Sequence, residues 1–345
     1  MKNIFKFNFS LFTFAGTETG TAGYQTSTDS GIANEFKTYY DKRIIRLVGP
    51  NLVYAQFAVK KPLPAGSGKS IEFRGFKDLD SNVATHKLTE GQTPDAQKLE
   101  EYHIVATIAQ YGGYVGITDM VKTHAIDPMV NEAIDKLSAQ AEKILDKLIR
   151  NTIVSDAEVH DVLAGNVSSE SELTVANGKM TVAEIRRIVN ILKRNDAPRI
   201  DGAYPLIVHP DVSTDLQADP EYKELYHYLK PEKLAAGYVG DVAGARIYES
   251  TNALITKNAT SNVAIYHCTL IAQGAYATVD VAGGGLETFI KQLGSSGSSD
   301  PINQRGSVGY KVSTANKVLI PKYLVDFSCT SSTNATEDAE TVVSA

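Results

Sequence analysis

Tryptophan is missing from this chain, cysteine occurs only twice in 345 residues, and there is no basic excess, the formal net charge being −6. Each shortage closes a class of protein. Cys268 and Cys329 stand far apart in sequence, which excludes a disulfide framework and a cysteine-rich zinc module. They read as small buried side chains in a reducing compartment. An acidic balance argues against tight, sequence-independent binding of nucleic acid, which needs a basic face. No stretch of about 18 apolar residues occurs, so no helical membrane span is expected. There is no internal repeat, which argues against a fibrous tail-like chain.

The constellations of catalysis are also lacking. AGSGKS at 65–70 has Leu63 where a phosphate loop needs its first glycine, and Ile71-Glu72-Phe73 then alternates like a strand. It reads as a hairpin turn. Gly283-Gly284-Gly285 lacks the later glycine of a dinucleotide fingerprint. The histidines (His86, His103, His124, His160, His209, His227 and His267) form no metal-type spacing. His267 adjoins Cys268, but neighbours on a strand point to opposite faces. No nucleophile elbow is present, and Glu100-Glu101 lies in a polar, solvated stretch. These residues predict no enzyme and no catalytic, cofactor-binding or metal site.

What is present is a soluble composition, 43% hydrophobic and 21% charged, organised around one long helix. In DPMVNEAIDKLSAQAEKILDKLIRNTIV, 127–154, Asp127 is a good N-cap and Pro128 suits the first helical position. Val130, Ile134, Leu137, Ala141, Ile144 and Leu148 recur at four- and three-residue steps and predict one apolar stripe. Glu132–Lys136 and Asp146–Arg150 read as ion pairs on the other side. Such a helix is a spine roughly 40 Å long.

Before the spine, Phe5, Phe7, Phe9 and Leu11 alternate with polar residues, a strand period on an edge that needs a cover. A polar arm, 17–31, and a short amphipathic helix near 30–47 follow. Val53–Val59 reads as a strand, Pro62–Ser70 as a turn, and Ile71/Phe73 as a second strand. Tyr102, Ile104, Ala106 and Ile108 resume the alternation after a polar stretch, and Tyr111–Ile117 continues it. This ribbon carries too little apolar surface to stand alone. After the spine, 157–179 reads as loop. Thr181-Val-Ala-Glu184 is a capping box opening a helix with Ile185, Ile188, Val189 and Leu192 inside. Tyr204–Val208 is a buried strand, and two short helices start near His209-Pro210 and Asp219-Pro220. Val239–Ser250, Val263–Val281, Gln304–Val312 and Lys317–Ser328 read as strands, and 330–345 as a mobile polar tail.

The order of these parts resembles the tailed-phage major capsid protein of the Hong Kong 97-type fold. The local stretches MKNIFKFNFSLF, PLIVHPDVSTDL, VGDVAGARIYES and QRGSVGYKVSTANKVLIPKYLVDF carry the resemblance. Within that fold the chain looks most similar to the phage N4-type coat proteins. The resemblance implies an α+β chain with an N-terminal arm (1–50) and an extended two-stranded loop (51–125). It implies a peripheral domain holding the spine helix (126–156 and 301–330), an axial domain (157–300) and a polar tail (331–345). It also implies assembly with many copies of itself, as pentamers and hexamers, around double-stranded DNA held without sequence-specific binding. The partners it implies are a separate scaffolding protein, a portal and a possible decoration protein. It implies assembly in the host cytoplasm, a place in the virion, and neither cofactor nor membrane. Phe5, Phe7, Phe9, Leu11, Lys60, Lys61, Lys69, Arg74, Lys77 and Asp78 are the expected inter-subunit contacts. A bacterial compartment shell of the same fold is the nearest alternative, with an enzyme and a tail protein behind it. The type member of this fold welds its subunits with Lys–Asn bonds beside a carboxylate. Asn303 and Asn316 are candidate asparagines here, but Asp326 is the only acid between Pro301 and Phe327, so no cross-link is expected.

Overall fold

A computed structural model describes residues 24–25, 52–64, 68–83, 86–88, 90–91, 93, 96–124, 129–226, 240–258, 260–281, 287–293, 300 and 302–340. The expected edge strand at Phe5–Leu11, the helix near 30–47, and Asp127 and Pro128 lie outside them. The elements in order begin with β1 (Tyr24–Gln25), β2 (Val59–Leu63), β3 (Ser70–Phe76), β4 (Glu101–Thr107) and β5 (Ala109–Thr118). Next come α1 (Asp119–His124), α2 (Met129–Val154), β6 (His160–Leu163), α3 (Val182–Arg194), β7 (Tyr204–Val208), α4 (Pro210–Ala218) and α5 (Pro220–Tyr226). The remainder are β8 (Asp241–Val242), β9 (Ala245–Glu249), β10 (Ile255–Lys257), β11 (Ala264–Ile271), β12 (Tyr276–Val281), β13 (Glu287–Lys291), β14 (Arg305–Val318) and β15 (Leu324–Cys329).

The chain divides into two compact units. The smaller takes in 115–131 and 290–308 together with the start of the chain. In it β1 pairs in parallel with Gly116 and Ile117, and the Asp119 amide at the start of α1 donates to Gln304 O at 3.0 Å. A Cβ on Gly306 would lie 3.2 Å from Lys291 O, so a side chain there would press on the neighbouring backbone.

The larger unit is built on a seven-stranded sheet of order β6-β15-β11-β7-β9-β8, with β10 also paired to β11. α3 covers one face. Thr181 caps it, its hydroxyl accepting from the Glu184 amide at 3.4 Å. Ile185, Ile188, Val189 and Leu192 are all buried against Leu206, Cys268, Leu270 and Phe327. The Glu184 carboxylate does not complete the capping box; it accepts from the Gly165 amide. Ile149 and Ile153 of α2 pack on the other face, with Tyr54, Ile207, Ile271 and Leu324. On β11, Tyr266, Cys268 and Leu270 thus face the first core and Ile271 the second. Ala243 and Gly244, at φ 53° and 94°, make the tight turn from β8 to β9.

Several expectations need correction. The spine helix is present from Met129, but its stripe is not the expected one. Leu137 and Ala141 are buried; beyond them the buried positions are Asp146, Ile149, Arg150 and Ile153, while Ile144 and Leu148 are only half-buried. A stripe stepping by 3.5 residues drifts around a straight helix of 3.6 per turn, so the covered face moves on. Val53–Val59 is not one strand: a 3-10 turn at Tyr54–Gln56 precedes β2. Pro62–Ser70 is not a hairpin turn, since β2 pairs with β12 and β3 with β4. The loop read at 157–179 contains β6, parallel to β15. The break read between Val312 and Lys317 falls later, because β14 runs unbroken to Val318. The tail read as mobile is packed as far as it is described. Thr330 and Ser331 are buried, the Ser332 amide donates to Asp215 at 2.7 Å, and the Glu340 amide donates to Ile255 O at 2.8 Å.

Candidate assembly surface

Among the described residues β3 and β4 pair only with each other, antiparallel, from Ser70↔Thr107 to Phe76↔Glu101. Ile71, Phe73, Tyr102, Ile104 and Ala106 share one face, and Glu72, Arg74, Glu101 and His103 the other. The Tyr102 ring lies over Gly75, where a Cβ would come within 2.4 Å of it. Only the base of the apolar face is anchored. Ala106 joins Leu63, Val279 and Ala315, with Ile71 and Phe73 packed against them. On its other face and at its tip the ribbon shows apolar surface to solvent. Phe76 is 64% exposed and Val105 55%, and Leu79, Val83, Leu88 and Leu99 are also exposed. These make up six of the eleven large apolar side chains found exposed among the described residues. Their concentration on one ribbon marks a surface made to be covered.

The expected contact residues divide between ribbon, root and arm. Phe5, Phe7, Phe9 and Leu11 lie outside the described residues. Lys60 and Lys61 are exposed on β2, at the root, and Lys69 is exposed just before β3. Arg74 pairs with Glu72 at 3.2 Å and Lys77 with Glu100 at 2.8 Å, so these two charges are matched within the ribbon itself. Asp78 is exposed beyond them. Among the described residues Lys60, Lys61, Lys69 and Asp78 make no ion pair.

Beneath the root lies a buried polar centre that sequence reasoning missed. Asp146 and Arg150 of α2 are 0% and 2% exposed, and they do not bond to each other. The Tyr54 amide donates to Asp146 Oδ1 at 2.9 Å, and Asn252 Nδ2 donates to Oδ2 at 3.1 Å. Burial pushes the Asp146 carboxyl up from its ordinary range, while Asn252 and the amides of Tyr54, Ala55 and Val53 hold it down. Arg150 donates to Asn252 O at 2.7 Å and to Glu340 Oε2 at 2.8 Å. Lys147 also bonds Glu340. An acid four residues before a base normally marks a solvated helix face. The one available hint was their spacing to Ile149 and Ile153, which puts all four residues on one helix face.

A second polar cluster sits on the same sheet. His267 is buried between Asp326 Oδ2 and Thr256 Oγ1, each 2.9 Å from a ring nitrogen. Burial alone would lower its pKa, but Asp326, Glu170 and Asp161 raise it above the ordinary value. Asp161, opposite Asp326 in the ladder, is pushed up by burial and by the neighbouring carboxylates Asp326 and Glu170. These groups line a cavity of about 410 Å³ with Thr256, Lys257 and Val159. Cys268 and Cys329, distant in sequence, are free thiols with their sulfurs 3.7 Å apart, both on the face that packs on α3. Among the described residues no group of three or more His, Cys, Asp or Glu side chains is placed to hold a metal ion. Asp326, the one acid between Pro301 and Phe327, bonds His267 in the seven-stranded sheet, whereas Asn316 lies in β14 of another sheet.

The family model described as phage capsid protein matches residues 101–324. No curated protein matches the chain. Among solved structures, the capsid of cyanophage P-SCSP1u is similar at TM-score 0.66 and 12% identity, over 90% of this chain and 98% of that one. The capsid of Helicobacter pylori bacteriophage KHP30 is similar at 0.65 and 11%, over 91% and 100%. A Mycobacterium phage Che8 chain is similar at 0.61 and 14%, over 84% and 96%. At such identities the likeness is one of fold. It is the mixed α+β fold of tailed-phage capsids, the Hong Kong 97-like architecture.

Proposed function

The chain belongs to the phage capsid protein family, and from that premise we propose how its parts build a shell. It is a structural, non-enzymatic protein, a major capsid protein that joins copies of itself to form the icosahedral head of a bacteriophage and is part of the virion. Within that family we assign it to the phage N4-type coat proteins. Residues 1–50 act as the arm, 51–125 as the extended loop, 126–156 with 301–330 as the peripheral domain, 157–300 as the axial domain and 331–345 as the tail. Two features support this division. Within the extended loop, β3 and β4 form a ribbon that pairs with no other strand among the described residues. Ile149 and Ile153 of the spine helix share a core with Leu324 at the start of β15. Pentamers and hexamers form in the host cytoplasm on a separate scaffolding protein, with a portal and a possible decoration protein, and the shell holds double-stranded DNA without reading its sequence. The net charge of −6 suits that last role.

One observation carries the mechanism: a ribbon with half its apolar side chains in solvent. Isolated two-stranded hairpins are marginal in water, so the ribbon gains its stability when neighbouring copies cover Phe76, Val105 and the tip. Arg74, Lys77, Lys60, Lys61, Lys69 and Asp78 then set register at the rim, where charges steer association more than they strengthen it. The test is to replace 77–100 with a short Gly-Ser turn, which keeps the Phe76↔Glu101 pair and the anchored base. The expected product is a folded, soluble subunit that forms no closed shells by negative-stain microscopy. Normal particles from this variant would refute the mechanism.

A further inference from the structure

Just before β2, at the start of the extended loop, the backbone at Tyr54 is hydrogen-bonded through both its amide and its carbonyl. Tyr54 is fully buried. Its amide donates to Asp146 at 2.9 Å, and its carbonyl accepts from the Tyr276 hydroxyl at 2.6 Å. The amides of Val53 and Ala55 also lie close enough to Asp146 to hold its carboxyl down. One carboxylate on the spine helix therefore collects the amides that open the 3-10 turn, as an anion does at a helix start. Two residues later Phe57 stands edge-on to Tyr248, ring centres 5.1 Å apart, and β2 begins at Val59.

Asp146 is itself braced. Asn252 donates to its second oxygen at 3.1 Å, and the Asn252 amide is in turn tied to Ser250 Oγ at 3.2 Å. The Asn252 carbonyl accepts from Arg150 at 2.7 Å, and Arg150 reaches Glu340 at 2.8 Å. A buried ion this well supplied with donors is more than a core needs, because an apolar side chain of the same size packs there at no desolvation cost. A carboxylate offers what an apolar group cannot: it fixes where the backbone amides point.

We propose that Asp146 is a positioning residue for assembly: it sets the direction in which the extended loop leaves the spine helix, with Asn252 and Arg150 bracing it and the last described residue, Glu340, locking the brace. The proposal rests on the reading of the ribbon as the assembly element. A loop root pointed wrongly by a small angle misplaces a long ribbon at its tip, so the error shows in assembly before it shows in folding. In a closed shell the penalty recurs at every subunit.

The experiment compares Asp146→Ala with Ile188→Ala, a core variant on the opposite face of the sheet, at matched loss of melting temperature. In unassembled subunits of Asp146→Ala, the amides of Val53, Tyr54 and Ala55 should exchange with solvent on the order of tenfold faster, while β11 and β15 keep their protection. Its yield of closed shells should fall on the order of tenfold below that of the matched Ile188→Ala protein. Asp146→Asn, which keeps an acceptor for the Tyr54 amide, should recover part of both. Should Asp146→Ala fail to fold, Asn252→Ala, which removes one brace and leaves the Tyr54 bond, takes its place with the same expected signs. Shell yields equal to those of the matched core variant, or unchanged exchange at 53–55, would overturn the proposal. The two readings fail separately: shells formed without the 77–100 tip would sink the ribbon's role yet leave the exchange result on Asp146 standing.

Discussion

The seven-stranded sheet and the β3–β4 ribbon are written in the same alphabet of alternating apolar side chains, yet they come to opposite ends. Every residue of β11 and β15 is buried, because α3 lies on one face of the sheet and α2 on the other. The ribbon's better face, Ile71, Phe73, Tyr102 and Ile104, is only half-covered, and Phe76 and Val105 face water. The difference lies in supply. Helices pack on both faces of the sheet, and among the described residues none packs on the ribbon. Stability inside one subunit and stability between subunits are thus assigned to different stretches, which lets a subunit fold before it meets its neighbours.

The sharpest way to break this comparison is a charge placed in each region. Ile188→Asp puts an unpaired carboxylate into the fully buried first core, costs several kcal/mol, and should leave no soluble subunit. Val105→Asp should leave the subunit's stability within about 0.5 kcal/mol of wild type while shells fail to form. Urea titration and particle counts decide. A Val105→Asp subunit as unstable as a core variant would mean the ribbon is part of the fold after all.

A smaller effect tests the spine helix that covers the second face. Ile153 is fully buried and Ile144 half-buried. Truncating Ile153 to alanine should cost about 2–4 kcal/mol, and Ile144→Ala distinctly less. The reverse order in chemical denaturation would show that the helix presents the stripe its heptad spacing suggests, not the one observed.

Smaller again is a pH effect confined to the sheet. The folded-state pKa of His267 is raised above its ordinary 6.5, so its contribution is fully present below pH 6.5 and is lost as pH rises through the folded value. Asp161 is raised too and acts with the same sign, from its ordinary 3.8 upward. Lys257 faces the same cavity. The melting temperature of wild type should therefore fall, relative to His267→Gln, as pH rises above 6.5. Parallel profiles for the two proteins would remove His267 from the account.

The smallest expected effect is none. Mature particles boiled in detergent with reductant should run as one monomer band, since Asp326 is engaged by His267 and Asn316 belongs to another sheet. A ladder of multimers would direct the search for a base to Glu132, which has a buried carboxylate oxygen without a partner.

The sequence by itself determined what depends on neighbours within a turn or two. Thr181 caps α3, and the helix buries the four residues its 3.6 period selects. The buried run at Tyr204–Val208 is a strand, and β3 and β4 alternate as their residues do, whereas the stretch read as one strand at Val239–Ser250 is broken by a turn at Ala243-Gly244. Only the tertiary structure decided which distant groups meet. It turned Asp146 and Arg150 from a surface pair into a buried brace, broke Val53–Val59 where Asp146 gathers its amides, and carried β14 through a stretch of turn-forming residues by pairing it with β12. It brought Cys268 beside Cys329 and bound the end of the chain to the spine helix through Glu340. The reason is range. Periods and caps are satisfied by the backbone nearby, whereas the desolvation of a charge is offset only by partners that, here, lie about a hundred or more residues away.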